Sequence, residues 1–411
     1  MEMEWKELIW KEAGELQEKI AVHQSGLHRN PEVGFALQQT CNYVREQLQQ
    51  LGYAPKDCGK AGLVATAGGK RPGKVFLLRA DMDALPITEE AEVEDASRNG
   101  HMHACGHDFH TAMLLGAAEL LKKHEEQIKG TIKLMFQPAE ELLEGARDMI
   151  NNGVLQDPAV DAALMIHVMA GLPLATGTCV VSSPGVSAPA ADYFTIEIQG
   201  KGCHGSSPNT GIDPLTAAAH VLIGLQELAA RELGTDEAAV LTIGSMSGGE
   251  AANVIPDKVT MTGTLRAFRE DVRGRLKKRL EEIASGIAGA FRAEAKVTFG
   301  SGCPTLINDG ALSDFMAGQL KDLLGERYCY TSRELEAQMV EKGGGGKMSG
   351  SEDFSYISHQ VPAVMLALAA GEAAQGYLYP QHHPKVRFDK NVLSVGAAIY
   401  AYGALSWLEN A

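Results

Sequence analysis

The segment Val75-Phe-Leu-Leu-Arg-Ala-Asp-Met-Asp83 joins an apolar run directly to two aspartates. A continuous apolar run is typical of a strand that is covered on both faces, as in a parallel sheet. Three further buried runs lead to ligand-type residues: 132–136 precedes Glu140 and Glu141, 162–166 precedes His167, and 362–370 leads towards His382. Because sites in open α/β sheets form beyond the carboxyl ends of the strands, the four runs predict one shared site.

The remaining pattern predicts two domains with different sheets. Helices alternate with buried strands in 1–187 and 303–411, so we expect an α/β domain with a mostly parallel sheet flanked by helices. Within 188–302, the segments 193–199 and 259–265 alternate apolar and polar positions, which favours antiparallel strands. The expected elements there are strand 193–199, helix 213–233, strands 239–245 and 257–267, helix 271–291 and strand 295–299. This is the order of a ferredoxin-like α+β unit, inserted as a lid or as a dimerisation domain, and both interpretations stay open.

Length and charge limit the classes of partner. The chain has 411 residues, which is enough for two domains. Its formal net charge of −15 argues against a nucleic acid or an anionic membrane as partner, because both repel an acidic surface. We therefore expect a small-molecule substrate.

The sequence also predicts a cytoplasmic protein. Its seven cysteines are scattered, without the paired spacing of a disulfide framework, which favours a reducing compartment. The charged segment 1–6 begins an amphipathic helix and does not resemble a signal peptide. We find no apolar run of transmembrane length.

One glycine-rich segment does not fit a nucleotide site. Lys342-Gly-Gly-Gly-Gly-Lys347 is flanked by Glu341, where a phosphate-binding loop needs glycine, and by Met348, where it needs Ser or Thr. We expect a surface loop there.

The segment His101-Met-His-Ala-Cys-Gly-His-Asp-Phe-His110 carries four histidines, a cysteine and an aspartate. A helical apolar spacing begins just after Cys105 and His107, and a helix N-terminus favours the thiolate that binds metal. Glu140 and Glu141 are adjacent and point in different directions, so one can bind a metal ion while the other transfers protons. These residue types predict a metal-dependent hydrolase.

Five blocks together resemble the M20 metallopeptidase family. They are Leu78-Arg-Ala-Asp-Met-Asp-Ala-Leu-Pro86, His103-Ala-Cys-Gly-His-Asp108, Phe136-Gln-Pro-Ala-Glu-Glu141, Ser351-Glu-Asp-Phe354 and His382-His-Pro384, in family order across nearly the whole chain. More narrowly, they are similar to the aminoacylase-like amidohydrolase branch of that family, which includes hippurate hydrolases and indole-acetyl-amino-acid hydrolases. The resemblance implies a zinc-peptidase-like catalytic domain.

By this resemblance each subunit holds two divalent metal ions, of Mn, Zn, Co or Ni. The implied ligands are Cys105, His107, Glu141, His167 and His382. The resemblance also makes Glu140 the general base and gives Asp83 a supporting role that orients a ligand, while the role of Asp81 stays open. The family pattern assigns no role to His101, His103 and His110, which are expected in loops or in packing.

Three blocks of the inserted domain, 200–208, 248–256 and 263–266, are similar to the lid and substrate-binding motifs of the family. They imply that His204 donates to the developing oxyanion and that Asn253 and Arg266 bind the carboxylate of the substrate. In dimeric relatives some of these groups reach the site from the partner subunit. The resemblance implies a homodimer or a homotetramer.

The expected reaction is hydrolysis of the amide bond of N-acyl-L-amino acids, with a metal-activated water and Glu140 as general base. Narrower substrates, N-acetyldiaminopimelate and p-aminobenzoyl-glutamate, are the alternatives within the family. A cysteine hydrolase that uses Cys105 would leave Glu140 and the downstream histidines without a role. A non-catalytic, metal-dependent binding protein would not need a base.

Overall fold

A computed structural model describes residues 5–341 and 350–411 of the protein, except for the side chains of residues 339–341. The glycine-rich segment 342–347 lies outside the described residues. The described chain divides into two compact units, of which the first comprises 5–187, 307–341 and 353–411 and the second comprises 188–306 and 350–352. The last strand of the second unit, Glu294–Cys303, extends beyond the predicted strand 295–299 at both ends.

Helices and strands alternate along most of the chain. The α-helices are α1 (Trp5–Glu15), α2 (Gln17–His28), α3 (Gln38–Gln50), α4 (His107–Lys123), α5 (Gly145–Asn151), α6 (Pro214–Arg231), α7 (Glu270–Ala290), α8 (Gly310–Leu324), α9 (Ser332–Glu341), α10 (Ser355–Ser358) and α11 (Leu393–Asn410). The strands are β1 (Lys56–Cys58), β2 (Gly62–Gly68), β3 (Arg71–Asp81), β4 (Lys129–Gln137), β5 (Ala162–Met169), β6 (Cys179–Val181), β7 (Gly185–Ala188), β8 (Ala190–Gln199), β9 (Cys203–His204), β10 (Ala239–Ser247), β11 (Val254–Ile255), β12 (Lys258–Ala267), β13 (Glu294–Cys303), β14 (Leu306–Asn308), β15 (Cys329–Thr331) and β16 (Ala363–Ala369). Short 3-10 helices cover Glu125–Gln127, Pro208–Thr210, Ala373–Gln375 and Lys390–Val392.

The first unit contains an eight-stranded sheet in the order β1-β2-β4-β3-β5-β16-β6-β15. Its central strands β4, β3, β5 and β16 pair in parallel, whereas β1, β2 and β6 join through antiparallel pairs. Successive residues of β3 and β4 are buried on both faces of the sheet, which accounts for their continuous apolar runs. The predicted α/β class is confirmed, and the parallel pairs form the centre of a mixed sheet.

The second unit contains an antiparallel sheet in the order β10-β12-β8-β13, and α6 and α7 pack on its apolar face. Along β8, Phe194, Ile196 and Ile198 are buried while Tyr193 is exposed. Alternate residues of a strand point to opposite faces, so one face of this strand meets the helices. The succession β8-α6-β10-β12-α7-β13 confirms the predicted ferredoxin-like unit.

The C-terminal helix is long and apolar, and it lies in the core of the first unit. By length and composition alone, residues 390–410 are long and apolar enough to cross a membrane, although the sequence analysis identifies no such run. In the structure 78% of the apolar window is buried inside the protein, and α11 packs with α1 and α4 in the core of the first unit. Burial on most sides is the reason for its apolar composition.

Lys133 is a buried cation within the apolar strand β4. Its ammonium group donates to the carbonyl oxygens of Val154 at 2.9 Å, Gln156 at 2.7 Å and Pro158 at 2.8 Å. An ammonium group has three donors, so this set satisfies all of them and ties the 154–158 turn to the sheet.

Replacing Lys133 with methionine keeps most of the side-chain length but removes the donor for three carbonyl groups. We expect Lys133→Met to lower the free energy of unfolding by about 2–4 kcal/mol, measured by urea denaturation of the intact protein. Lys129→Met, at a half-buried position of the same strand, is the control and should change it by less than about 0.5 kcal/mol. Equal stability of the two variants would contradict this role of Lys133.

Candidate metal centre

The carboxyl ends of the central strands carry the ligand-type side chains. β3 ends at Asp81, β4 leads into Glu140 and Glu141, and His167 lies near the end of β5. Since neighbouring strands are parallel, these ends lie at one edge of the sheet. Donor atoms there lie within 4.8 Å of one another in three overlapping groups: Cys105 with His107 and His167, Cys105 with Glu141 and His382, and His107 with Glu140 and Glu141. The structure thus brings together the five implied ligands and the implied base.

A tight turn brings Cys105 and His107 to the same place. Gly106 between them has a φ of 89°, in the left-handed region that glycine adopts most readily. A Cβ atom at this position would lie 2.4 Å from Cγ2 of Val168. Glycine is therefore required both by the turn and by the close approach of β5.

The rings of His107 and His167 are oriented by main-chain carbonyl groups. Nδ1 of His107 donates to the Asp83 carbonyl oxygen at 2.8 Å, and Nδ1 of His167 donates to that of Val168 at 2.7 Å. This arrangement leaves Nε2 as the atom with which each ring could bind a metal ion. Nε2 of His167 lies 3.5 Å from Sγ of Cys105, and Nε2 of His107 is buried without a hydrogen-bond partner among the described residues. A metal ion would supply the partner that the buried nitrogen lacks.

The Asp83 carboxylate holds the turn that carries the two adjacent glutamates. Its Oδ1 accepts from the Glu140 N–H at 3.0 Å, and its Oδ2 accepts from the Glu141 N–H at 3.3 Å. Ala139 and Leu143, on either side, have φ values of 54° and 55°, which is a strained conformation for residues with a side chain. Asp83 therefore stabilises a turn that local preferences disfavour.

His382 reaches the site from the loop after β16, and its backbone is also left-handed, with a φ of 65°. Its N–H donates to the Ala104 carbonyl oxygen at 2.9 Å, which anchors the loop beside Cys105. Its Nε2 lies 3.4 Å from Oε1 of Glu141, and its side chain is 53% exposed. Solvent therefore reaches the site on the side of His382.

The charges of the site favour a cation. Burial alone would raise the pKa of the Cys105 thiol, but the neighbouring His167 and His107 lower it to about 6. Burial also opposes ionisation of Glu141, yet the contact with His382 keeps the pKa of this carboxyl below its ordinary value. Hydrogen bonds with Cys105 and Glu141 raise the pKa of His382 to about 10. The Cys105 thiol and the Glu141 carboxyl are therefore ionised at neutral pH, and a metal ion bound by His382 would displace its proton.

The histidines without an implied role differ in their surroundings. His101 and His103 lie in the loop before α4, as expected. His110 is buried within α4, and its Nδ1 donates to Oδ1 of Asp81 at 2.5 Å. It follows His107 by three residues on one helix face, and this spacing is the sequence signal that could have linked it to the site.

His28, at the end of α2, supports the site through contacts that the sequence does not predict. Its Nδ1 lies 2.8 Å from Oδ2 of Asp108 and its Nε2 lies 3.1 Å from Oε1 of Glu89. Although burial opposes the charge, Asp108 and Glu89 raise the pKa of His28 to about 10. The residue thus links α2 to the start of α4. Because His28 and Asp108 are 80 residues apart, no local pattern indicates the contact.

Three further implied site residues belong to the second unit. β9, which carries His204, pairs with β11 next to Asn253. Nδ1 of His204 accepts from the Ser206 hydroxyl at 2.8 Å and from the Ser206 N–H at 3.1 Å, so the ring proton is on Nε2. Arg266 lies on β12, and its Nη1 donates to Oγ of Ser351 at 3.0 Å. Within this unit, His204 therefore offers an N–H donor and Arg266 a guanidinium group.

The site combines a buried thiolate, imidazoles and a carboxylate around an imidazole nitrogen that lacks a hydrogen-bond partner among the described residues. A second carboxylate lies beside these groups. This set of side chains is typical of a metal-dependent hydrolase. The sequence profile of Peptidase family M20/M25/M40 matches residues 77–405, and the chain belongs to this family.

Two proteins and one solved structure are similar to most of the chain. The chain is 38% identical to the IAA-amino acid hydrolase ILR1-like 4 of Arabidopsis thaliana, over 93% of its own length and 84% of that protein. It is 34% identical to the N-acetyl-L-cysteine deacetylase of Bacillus subtilis, over 94% and 87% of the two lengths. The crystal structure of the Bacillus subtilis YXEP protein, described as a dinuclear metal binding peptidase from the M20 family, matches with a TM-score of 0.77 and 30% identity, over 97% of this chain and 100% of that one. The protein is an amidohydrolase, and its reaction is metal-dependent amide hydrolysis.

The raised pKa of His382 predicts that metal binding releases protons. At pH 7 this imidazole is protonated before binding, whereas a ligand must be neutral, so the affinity for metal should rise as the pH increases towards 10. Calorimetric titration with Zn²⁺ at pH 7, in buffers of different ionisation enthalpy, should show about one to two protons released per subunit. His382→Ala should release about one proton fewer. A binding enthalpy that does not depend on the buffer would contradict the prediction.

Proposed function

We propose that the protein hydrolyses the amide bond of N-acyl-L-amino acids, with two divalent ions of Mn, Zn, Co or Ni bound by each subunit. The proposed ligands are Cys105, His107, Glu141, His167 and His382. The observation that carries the proposal is the buried Nε2 of His107, which lacks a hydrogen-bond partner among the described residues and lies 3.9 Å from Oε2 of Glu140. Nε2 of His107 is available to bind a metal ion, and the Glu140 carboxylate beside it is not one of the proposed ligands. This pairing supports a catalytic rather than a purely structural metal centre.

When bound, the metal ions would polarise the amide carbonyl group and lower the pKa of the attacking water. Glu140 takes a proton from that water and delivers it to the departing amino group. Its main chain is held by Asp83, and only 8% of its side chain is exposed. The carboxylate therefore stays in one position and is not fully solvated, which suits a group that must accept and then return a proton.

The different partners of the two adjacent glutamates support this division of roles. Oε1 of Glu141 lies 3.4 Å from Nε2 of His382, whereas Oε2 of Glu140 lies 3.9 Å from Nε2 of His107. The two main-chain N–H groups bind different oxygens of Asp83. Asp83 thereby holds the main chain of Glu141, the proposed ligand, and that of Glu140, the proposed base, in fixed positions relative to each other.

We propose that the second unit supplies the groups that bind the substrate. His204 is suited to donate from Nε2 to the developing oxyanion, because the Ser206 N–H keeps the ring proton off Nδ1. Arg266 and Asn253 are suited to bind the substrate carboxylate, since guanidinium and amide groups both donate to it. In this proposal the unit is both a lid and the dimerisation domain of a homodimer or homotetramer.

The names of the relatives support an amino acid conjugate as the substrate. An IAA-amino acid and N-acetyl-L-cysteine have an amino acid in common, whereas the group attached to it differs. N-acetyldiaminopimelate and p-aminobenzoyl-glutamate are narrower candidates of the same chemical type. A metal-binding protein without catalysis is disfavoured, because binding alone does not require the proton-transferring carboxylate of Glu140.

A panel of N-acetyl, N-benzoyl and indole-acetyl amino acids tests the proposed substrate class. The protein is treated with a chelator, and amine release is then assayed with and without added Mn²⁺, Co²⁺, Ni²⁺ or Zn²⁺. We expect chelation to abolish hydrolysis and at least one ion to restore it, since the reaction needs a Lewis acid. If protein that binds two ions releases no amine from the whole panel, the broad substrate class is wrong and the two narrower substrates are the next to assay.

Glu140→Gln separates the proposed base from the ligands. The amide cannot accept the proton, so we expect turnover to fall by at least about 10²- to 10⁴-fold while the metal content, measured by elemental analysis, stays that of the wild type. Glu141→Gln is the matched variant and should lose metal as well as activity. Turnover of Glu140→Gln equal to that of the wild type would exclude this mechanism.

A further inference from the structure

β5 stays paired with β16 as far as Met169, but on its other edge, beyond the end of its pairing with β3, its main chain is held by side chains. β3 and β5 pair only as far as Met165. Further along, the Val168 N–H donates to Nε2 of His110 at 2.8 Å. This N–H belongs to the peptide that joins Val168 to His167, so His110 binds the main chain of a proposed metal ligand.

The hydrogen bonds of His110 determine its tautomer. A main-chain N–H can only donate, so Nε2 of His110 carries a lone pair towards Val168 and the proton is on Nδ1, which donates to Oδ1 of Asp81 at 2.5 Å. Nη1 of the buried Arg79 donates to Oδ2 of the same carboxylate at 2.7 Å. Asp81 is therefore an acceptor, and His110 points in one direction only.

The same residues could be regarded as a further ligand group, since donor atoms of Asp81, His107 and His110 lie within 4.8 Å of one another. Both nitrogens of His110 are engaged, however, one with Asp81 and one with Val168. Both carboxylate oxygens of Asp81 already accept hydrogen bonds. These contacts favour a positioning role over metal ligation.

The position of Val168 in turn affects the ring of His167. Nδ1 of His167 donates to the Val168 carbonyl oxygen at 2.7 Å, and Nε2 lies 3.5 Å from Sγ of Cys105. The rings of His110 and His167 also meet edge to face, with centroids 4.7 Å apart. A shift of Val168 would therefore turn the ligand ring away from the thiolate.

We propose that Arg79, Asp81 and His110 form a chain of positioning residues that holds the main chain at Val168 and thereby directs Nε2 of His167 towards the metal centre. The inference rests on the proposed ligand role of His167. It gives Asp81 the role that the sequence leaves open.

Two amides of different length separate the two hydrogen bonds of His110. In His110→Asn the amide reaches Asp81 but not Val168, whereas in His110→Gln the amide oxygen reaches the position of Nε2 and accepts from Val168. We expect His110→Asn to bind Co²⁺ about 10- to 100-fold more weakly than the wild type, with an altered visible absorption spectrum, and His110→Gln to recover most of both. The measurement is a Co²⁺ titration of the metal-stripped full-length protein against a competing chelator, followed by absorption spectroscopy.

Tyr53→Phe is the control for a general loss of stability. It removes the hydrogen bond that the buried Tyr53 hydroxyl donates to the Ala118 carbonyl oxygen at 2.7 Å. Ala118 lies further along α4 than His110. It should lower Tm and leave the affinity for Co²⁺ and the spectrum unchanged.

Four outcomes would overturn the inference. The first two are an unchanged Co²⁺ affinity and spectrum in His110→Asn, and a Co²⁺ affinity that Tyr53→Phe weakens as much as His110→Asn does. The third is a Co²⁺ affinity in His110→Gln that is no higher than in His110→Asn. The fourth is the loss of one whole equivalent of Co²⁺ in both amide variants, which would make His110 a ligand. Failure of the wild-type protein to bind Co²⁺ would instead overturn the proposed metal centre, and the inference with it.

Discussion

The buried guanidinium group of Arg79 is the interaction on which the metal-binding edge of the first unit depends. It donates to Asp81 at 2.7 Å, to Gln137 at 2.9 Å and to Asp353 at 2.9 Å, which joins β3, β4 and the segment at Asp353. Asp353 also accepts from the Ala146 N–H at 2.9 Å, so the start of α5 is bound to the same group. Losing one partner of such a buried network costs about 3–5 kcal/mol, because the remaining charge stays desolvated. The strand ends therefore keep one arrangement beneath the ligands.

Three of the residues with strained backbone lie at or beside the proposed ligands and the proposed base. Ala139, Leu143 and His382 have φ values of 54°, 55° and 65°, and each such residue costs on the order of 1–3 kcal/mol. The hydrogen bonds to Asp83 and to the Ala104 carbonyl oxygen hold these segments in place. The large apolar core of the first unit supplies the stability that offsets this strain. The positions of the proposed ligands thus depend on the fold around them.

The ionisation of Cys105 shows how tertiary contacts add to a local effect. The residue lies two positions before the start of α4, where a helix N-terminus favours a thiolate. In the fold, His167 and His107 lower the pKa of the thiol to about 6 although burial opposes this change. The imidazoles that would share a metal ion with the thiolate therefore also prepare it for binding.

The sequence by itself determined the class of fold and the chemical nature of the site, because both are written in local patterns. Apolar runs such as 75–78 indicate strands buried on both faces, the alternation in 193–199 indicates a half-buried strand, and the blocks around Cys105 and Glu140 contain the donor atoms. Only the tertiary structure decided what supports the donors. His28 and Asp108 are 80 residues apart and His110 and Val168 are 58 apart, so their contacts follow from strand order and helix packing. Such contacts depend on the path of the whole chain, and for this reason no local preference could indicate them.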